Sequence, residues 1–202
     1  LSGPDTAIAH CVHTSAEEKA LLAETDTRVL HCPSANLKLG SGVAPVYEYL
    51  ESGITVSLGS DGAPCNNRLD AFQEMRLAGL LQKPLHGPQA VSAERIAACA
   101  TGHGARTLGR ETDLGRIEAG FEADLIMVDT DSWHNLPCRD PAASVVYGCG
   151  ADDVEWVMVA GRILYEDGML TTIDEEYLRR EVADERRALA SSGVSRPRLV
   201  AG

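Results

Sequence analysis

Three residues of this chain pair a chemically useful side chain with a useful position. His10 closes the stretch Thr6-Ala7-Ile8-Ala9, His31 closes Thr27-Arg28-Val29-Leu30, and Asp61 closes Ile54-Thr55-Val56-Ser57-Leu58-Gly59-Ser60. A histidine and an aspartate at neighbouring strand ends suit metal ligation or proton transfer. His31 stands between them in the chain, as a lining residue of the same rim or as loop packing before Pro33. The plainer role for Asp61, which precedes Gly62, is to cap its own loop by accepting from backbone amides. His13 forms His-Cys-Val-His with His10, a spacing that makes a poor chelate on leaving a strand, and it reads as structural. His86, His103 and His134 have no evident partner and read the same way. Cys11, Cys32 and Cys65 are conceivable nucleophiles without an assignable base, and cysteine is often only a small core residue. There is no G-x-S-x-G, no P-loop and no G-x-G-x-x-G after a strand, which argues against serine-hydrolase and nucleotide-cofactor chemistry.

The elements that must position these residues alternate. Strands are expected over about residues 5–11, 27–31 and 54–60 from their period-two patterning. In the third, Ile54, Val56 and Leu58 share one face, while Thr55, Ser57, Gly59 and Asp61 share the other. A helix follows each strand. Ser15 and Glu18 form a capping box, with Leu21 and Leu22 as the apolar stripe. A polar loop, Ser-Ala-Asn-Leu-Lys-Leu-Gly-Ser-Gly, leads to a short helix near 43–52. A longer helix, capped by Asn67, carries Leu69, Phe72, Met75 and Gly79 and ends at Pro84. Another is expected over 92–108. Strand–helix alternation with short connections means a parallel sheet, and binding groups gather at the carboxyl ends of such strands. Beyond residue 110 the pattern changes. Two short strands are expected around a glycine turn in 114–131, another at Val145-Val146-Tyr147, and a hairpin turning at Ala160-Gly161. A charged helix from Ile173 to about Ala190 is expected to be capped by Thr172 with Glu175. It places Ile173, Tyr177, Val182 and Leu189 inward, and a frayed tail follows.

Composition narrows the class. The chain has 202 residues, is 44% hydrophobic, and has only two Phe and two Trp, so aliphatic and Ala packing must build the core. A net charge of -12 argues against nucleic-acid and anionic-membrane binding. No apolar run nears the ~18 residues of a membrane span, and none reads as a secretory signal. Six scattered cysteines without C-x-x-C read as reduced thiols of a cytoplasmic protein. The chain opens on Leu-Ser-Gly-Pro and runs at once into a strand, the look of a chain entered in its middle.

Four segments in order, AHCVHTSAEE, HCPSANLKLGSGVAPV, LGSDGAPCNNRLDAFQEMRLAGLLQK and GRIEAGFEADLIMVD, resemble the amidohydrolase superfamily. The resemblance is to the branch of 5-methylthioadenosine/S-adenosylhomocysteine deaminases and s-triazine chlorohydrolases, and it covers about residues 5–190. It implies an α/β fold: the carboxyl-terminal part of a (β/α)8 barrel plus part of a small β-sandwich. Residues 1–111 would hold strands six to eight, residues 112–168 part of the sandwich, and residues 169–202 a helix and tail. It also implies one divalent metal, zinc or alternatively iron, with Asp61 as ligand and proton acceptor. His10 would bond the attacking metal-bound hydroxide, and His31 would be a supporting residue. The family's H-x-H and H-x-x-E motifs are absent, so the remaining ligands are not in this chain, and alone it is expected to be inactive. The implied activity is hydrolytic deamination of an adenosine-like purine, with an s-triazine or another heterocycle as the alternative. A reading of another class is a non-catalytic half-barrel module that needs a partner chain. A homodimer, or association with a missing amino-terminal half, is expected.

Overall fold

The computed structural model describes residues 2–192. The expected frayed end falls largely on 193–202, outside the described residues. Two sheets organise the chain. The first is parallel, in the order β1 (Ala7–Ala9), β2 (Arg28–His31), β3 (Val56–Leu58). Ala9 pairs with Leu30, Leu30 with Ser57, and His31 with Leu58. Between β1 and β2 runs α1 (Ala16–Glu24). Its Ser15 hydroxyl accepts from the Glu18 N–H while the Glu18 carboxylate accepts from the Ser15 N–H, the expected capping box. Only Leu22 of its two leucines is buried, and Leu21 is exposed.

The segment expected to be a polar loop after β2 is instead helical, α2 (Pro33–Lys38). Pro33 occupies its first position, where the missing N–H costs nothing and the fixed φ favours a helix. Next come α3 (Val46–Glu51) and, after β3, a one-turn α4 (Ala63–Asn66) where only a turn was expected. The long helix α5 (Ala71–His86) is capped by Asp70, not Asn67. The Asp70 carboxylate accepts from the Phe72 and Gln73 amides, whereas Asn67 ends α4 at φ 71°. Pro84 lies within the last turn, and Gly87 at φ 90° ends the helix. The expected single helix over 92–108 is two, α6 (Ala93–Ala100) and α7 (Gly102–Thr107), because the backbone breaks at Thr101. Gly115 packs onto α7: a Cβ there would stand 2.7 Å from the Ala105 Cβ.

Two apolar clusters flank this sheet. One gathers Val29 and Val56 with Leu22, Val46, Tyr49, Ile54 and Cys99. The other joins Phe72, Met75 and Ala78 of α5 to Val91, Ile96 and Val146. Aliphatic residues and alanines do supply most of the packing.

The second sheet is antiparallel, in the order β4 (Leu125–Val128), β5 (Val154–Val159), β6 (Arg162–Glu166), β7 (Met169–Leu170). The hairpin turns at Ala160 and Gly161, both at positive φ, as expected. Only the second of the two strands expected in 114–131 forms. Residues 110–122 are a folded loop, tied by the Glu122 N–H to the Asp113 carbonyl and by Arg110 to the Asp113 carboxylate. Val145-Val146-Tyr147 is not a strand. It lies in a π-helical turn, Ser144–Gly148, continuing α8 (Pro141–Ala143). Asp140 caps the start of this unit, and the Arg76 guanidinium receives its end, donating to the carbonyls of Tyr147, Gly148 and Cys149 at 3.1, 3.1 and 2.8 Å. Gly79 lets Tyr147 lie across α5, since a Cβ would stand 2.7 Å from its hydroxyl. The final helix, α9 (Glu175–Ser191), is capped by Asp174, not by Thr172. Its expected inward residues, Ile173, Tyr177, Val182 and Leu189, are all exposed, and the helix buries none of its residues.

Arg76 satisfies three carbonyls at once, so Arg76→Met should lower unfolding stability by roughly 1–3 kcal/mol. The drop in the urea midpoint against wild type measures it.

Candidate active site

Because β1, β2 and β3 run side by side, their carboxyl ends form one rim. His10 follows β1 directly, His31 is the last residue of β2, and Asp61 lies three residues beyond β3. The structure brings His10 and Asp61 together: His10 Nε2 is 3.9 Å from Asp61 Oδ2. That is too long for a hydrogen bond, yet both atoms can reach one oxygen atom set about 2.8 Å from each. His10 at φ 69° and Asp61 at φ 59° are both left-handed, a costly conformation held only where the surroundings impose it. The His10 N–H donates to the Leu30 carbonyl at 2.8 Å, and the Ser60 carbonyl accepts from Asn66 Nδ2 at 2.8 Å. Asp61 Oδ1 accepts from the Gly62 amide at 2.7 Å. One Asp61 oxygen therefore caps the loop, as the plainer role expects, and the other faces His10.

The supports of this pair lie on α2 and α5. His10 Nδ1 is 2.8 Å from Asn36 Oδ1. The buried Glu74 carboxyl, 2% exposed, accepts from the Ser34 amide at 3.1 Å and from Asn66 Nδ2 at 2.8 Å. Gln73 donates to the Ser34 hydroxyl at 3.0 Å, and Lys38 reaches the Pro64 carbonyl at 2.6 Å as well as the Asn67 side chain. The helix carrying Asn36 and the loop carrying Asp61 thus share one anchor. Sequence reasoning missed both Asn36 and Glu74. Asn36 fell in an expected loop. For Glu74 a signal existed: it sits one and four residues before Met75 and Ala78, on the buried side of an amphipathic helix.

His31 is only 1% exposed, and among the described residues neither ring nitrogen has a hydrogen-bond partner. Burial first, and the nearby charge of His10 second, push its pKa down to about 4. It is a neutral, buried ring and not an open ligand. The expectation that His86, His103 and His134 lack partners is corrected. His86 stacks on Tyr47, His103 Nδ1 lies 3.1 Å from the Val56 carbonyl, and His134 Nε2 lies 3.0 Å from Asp153 Oδ2. His13 Nε2 lies 2.9 Å from the Ser41 carbonyl. Burial raises the Cys11 thiol pKa and lifts that of Cys32 to about 11, which disfavours either as a thiolate nucleophile.

A cavity of about 580 Å³ opens between the parallel sheet, α7 and β4, lined by Leu30, Leu58, Thr107, Leu114 and Ile126 among others. It touches none of His10, His31 and Asp61. Its walls are largely apolar, so the convergent polar groups, and not the volume, locate the candidate chemistry. Among the described residues, no three His, Cys, Asp or Glu converge on a point that could hold a metal ion.

The profile of the Amidohydrolase family matches residues 1–164. The chain is similar to a 5-methylthioadenosine/S-adenosylhomocysteine deaminase of Moorella thermoacetica, 47% identical over 175 residues, which cover 86% of this chain and 41% of the relative. It is 46% identical over 177 residues to a 5'-deoxyadenosine deaminase of Methanothermobacter thermautotrophicus, covering 87% and 41%. Among solved structures, an adenosine deaminase from Xanthomonas campestris with bound zinc superposes at a TM-score of 0.91 with 31% identity, covering 95% of this chain and 44% of that one. Atrazine chlorohydrolase from Arthrobacter aurescens complexed with zinc gives 0.83 at 30% identity, covering 90% and 41%. The chain spans less than half the length of the proteins it matches.

The buried His31 ring sets a pH dependence. Above pH 6.5 the ring is neutral in folded and unfolded chain alike. Between its unfolded value of 6.5 and its folded value of about 4, only the unfolded chain takes up the proton, so stability falls as pH falls. The loss reaches on the order of 3 kcal/mol. Unfolding midpoints measured from pH 7 to 4 should decline, and more shallowly in His31→Phe.

Proposed function

The chain belongs to the amidohydrolase family, and from that premise we propose that it is the carboxyl-terminal part of a metal-dependent aminohydrolase. The substrate class is an adenosine-like purine: 5-methylthioadenosine, S-adenosylhomocysteine or 5'-deoxyadenosine. The observation that carries this reading is the His10–Asp61 pair, 3.9 Å apart at the ends of parallel strands. The choice of purine over triazine is supported by the 47% and 46% identity to the two named deaminases and, among solved structures, where identities are level at 31% and 30%, by a TM-score of 0.91 for the adenosine deaminase against 0.83 for the triazine enzyme. On this reading β1, β2 and β3 are strands six, seven and eight of a (β/α)8 barrel, within residues 1–111. The antiparallel sheet in 112–168 is part of a small β-sandwich, and 169–202 form a terminal helix and tail. The edge strands β1 and β3 each have one neighbour, which fits a sheet continued on both sides.

The donor set fits one arm of a metal site and not a whole one. Asp61 offers one carboxylate oxygen beyond its loop cap, and a catalytic zinc needs about three protein ligands. The remaining ligands would come from the part of the enzyme that this chain does not span. A divalent metal, zinc or alternatively iron, supplies a water acidified to near neutral pH when bound. What this chain's own residues do is simpler. Asp61 Oδ2 takes a proton from the attacking water and returns it to the leaving nitrogen. His10 Nε2 exchanges a hydrogen bond with the same oxygen as it bonds to the ring carbon. The C–N bond then breaks and ammonia leaves. His31, neutral and buried, backs the rim. Functional assembly would be a homodimer, or association of this part with the portion preceding it.

The test is metal content and ammonia release by the intact enzyme on the three purines. About one metal per chain and turnover of at least one purine are expected, with Asp61→Asn lowering kcat/KM by roughly 10²- to 10⁴-fold. The 202-residue chain alone should turn over none. Intact enzyme that lacks metal and leaves all three untouched sinks the reading, and turnover of s-triazines alone moves it to that branch.

A further inference from the structure

We propose that Asn36 is the positioning residue that decides which ring nitrogen of His10 carries the proton, and so makes Nε2 the nitrogen that works. This deepens the reading given above and rests on His10 and Asp61 being its active pair.

With the Asn36 amide turned so that Oδ1 faces the ring at 2.8 Å, His10 Nδ1 donates to it, and the buried Asn36 Nδ2 has no hydrogen-bond partner among the described residues. A neutral imidazole has one N–H, which leaves Nε2 bare. Nε2 is the atom that faces Asp61 Oδ2 at 3.9 Å. Two acceptors at that distance repel unless a third group brings protons to both, and a water between them, with two O–H groups, does so. A neutral amide suits this task, since it orients the ring through one hydrogen bond and brings no charge of its own.

The support is rigid. Asn36 is buried and stands in the first turn of α2, where its N–H bonds the Cys32 carbonyl at 3.0 Å. Ser34 in the same turn is held by Glu74 and Gln73. The backbone that carries Asn36 is thus held in place, which is how a second residue makes the first one precise.

The experiment is ¹⁵N NMR of the intact protein labelled at histidine, because protonated and bare ring nitrogens have well-separated shifts and no turnover is needed. Wild-type His10 should carry its proton on Nδ1. Asn36→Leu, close in size, should lose that preference and show a mixture. Asn36→Asp keeps the acceptor oxygen and should retain the Nδ1–H signature, which keeps the test informative if the Leu variant does not fold. In purine turnover, Asn36→Leu should lower kcat roughly 10- to 100-fold with KM within about twofold, and Asn36→Asp should recover part of the loss. A wild-type proton on Nε2, which the amide turned end for end would impose, overturns the proposal, as does a tautomer indifferent to Asn36→Leu. The expected tautomer in a protein that turns over no purine overturns the functional reading alone. Turnover with a tautomer indifferent to Asn36 overturns this inference alone.

Discussion

The arrangement of the rim depends on one buried carboxyl group. Glu74 lies on α5, far from His10 in sequence, yet it accepts from the amide of Ser34 and from the side chain of Asn66. The first bond anchors the helix that reaches His10. The second anchors the residue that holds the Ser60 carbonyl, next to Asp61. Burying such a group costs desolvation, and two hydrogen bonds recover most of it. The net stabilisation is therefore small, and what the arrangement secures is geometry. Two loops that would otherwise move independently are referred to one point.

The two sides of the molecule differ in how far they bury themselves. The helices behind the parallel sheet enclose two apolar clusters. Elsewhere large apolar side chains stand in solvent: Ile117 is 90% exposed and Trp133 is 92% exposed. β1 is exposed along its whole length, and parallel sheets are ordinarily covered on both faces. Such surface is a liability for a lone chain. It suits the proposal that this chain is one part of a larger barrel enzyme, in which those faces meet other elements.

Much of this was legible in the sequence. Period-two stretches located the three parallel strands, and their order put His10, His31 and Asp61 on one rim. The Ser15 capping box and the turn at Ala160-Gly161 were readable because they are local, set by a few side chains and by backbone sign. The misreadings share a cause: distant groups override local preference. Val145-Val146-Tyr147 has strand composition, but Asp140 starts a helical turn there and Arg76, some seventy residues earlier, receives its carbonyls. Asn67 is a good cap by type, yet Asp70 takes the role because Asn67 is committed to ending α4. Ile117 lies in a stretch read as a strand, with no partner strand among the described residues. Asn36 was overlooked because α2 was read as a loop, and Glu74, on a helix that was expected, because a carboxylate is read as facing water even beside buried neighbours.

The direct passage from β2 into α2 has a consequence for how this sequence can vary. Only Cys32 separates His31 from Pro33. With no slack between strand and helix, the length of this junction is itself a functional specification. One residue added or removed between His31 and Asn36 would rotate the amide by about 100° around the helix axis and swing it off the imidazole. The hairpin turn at Ala160-Gly161 can drift in length without touching the rim, but here a shift of a single residue in register would be felt as surely as the loss of the side chain.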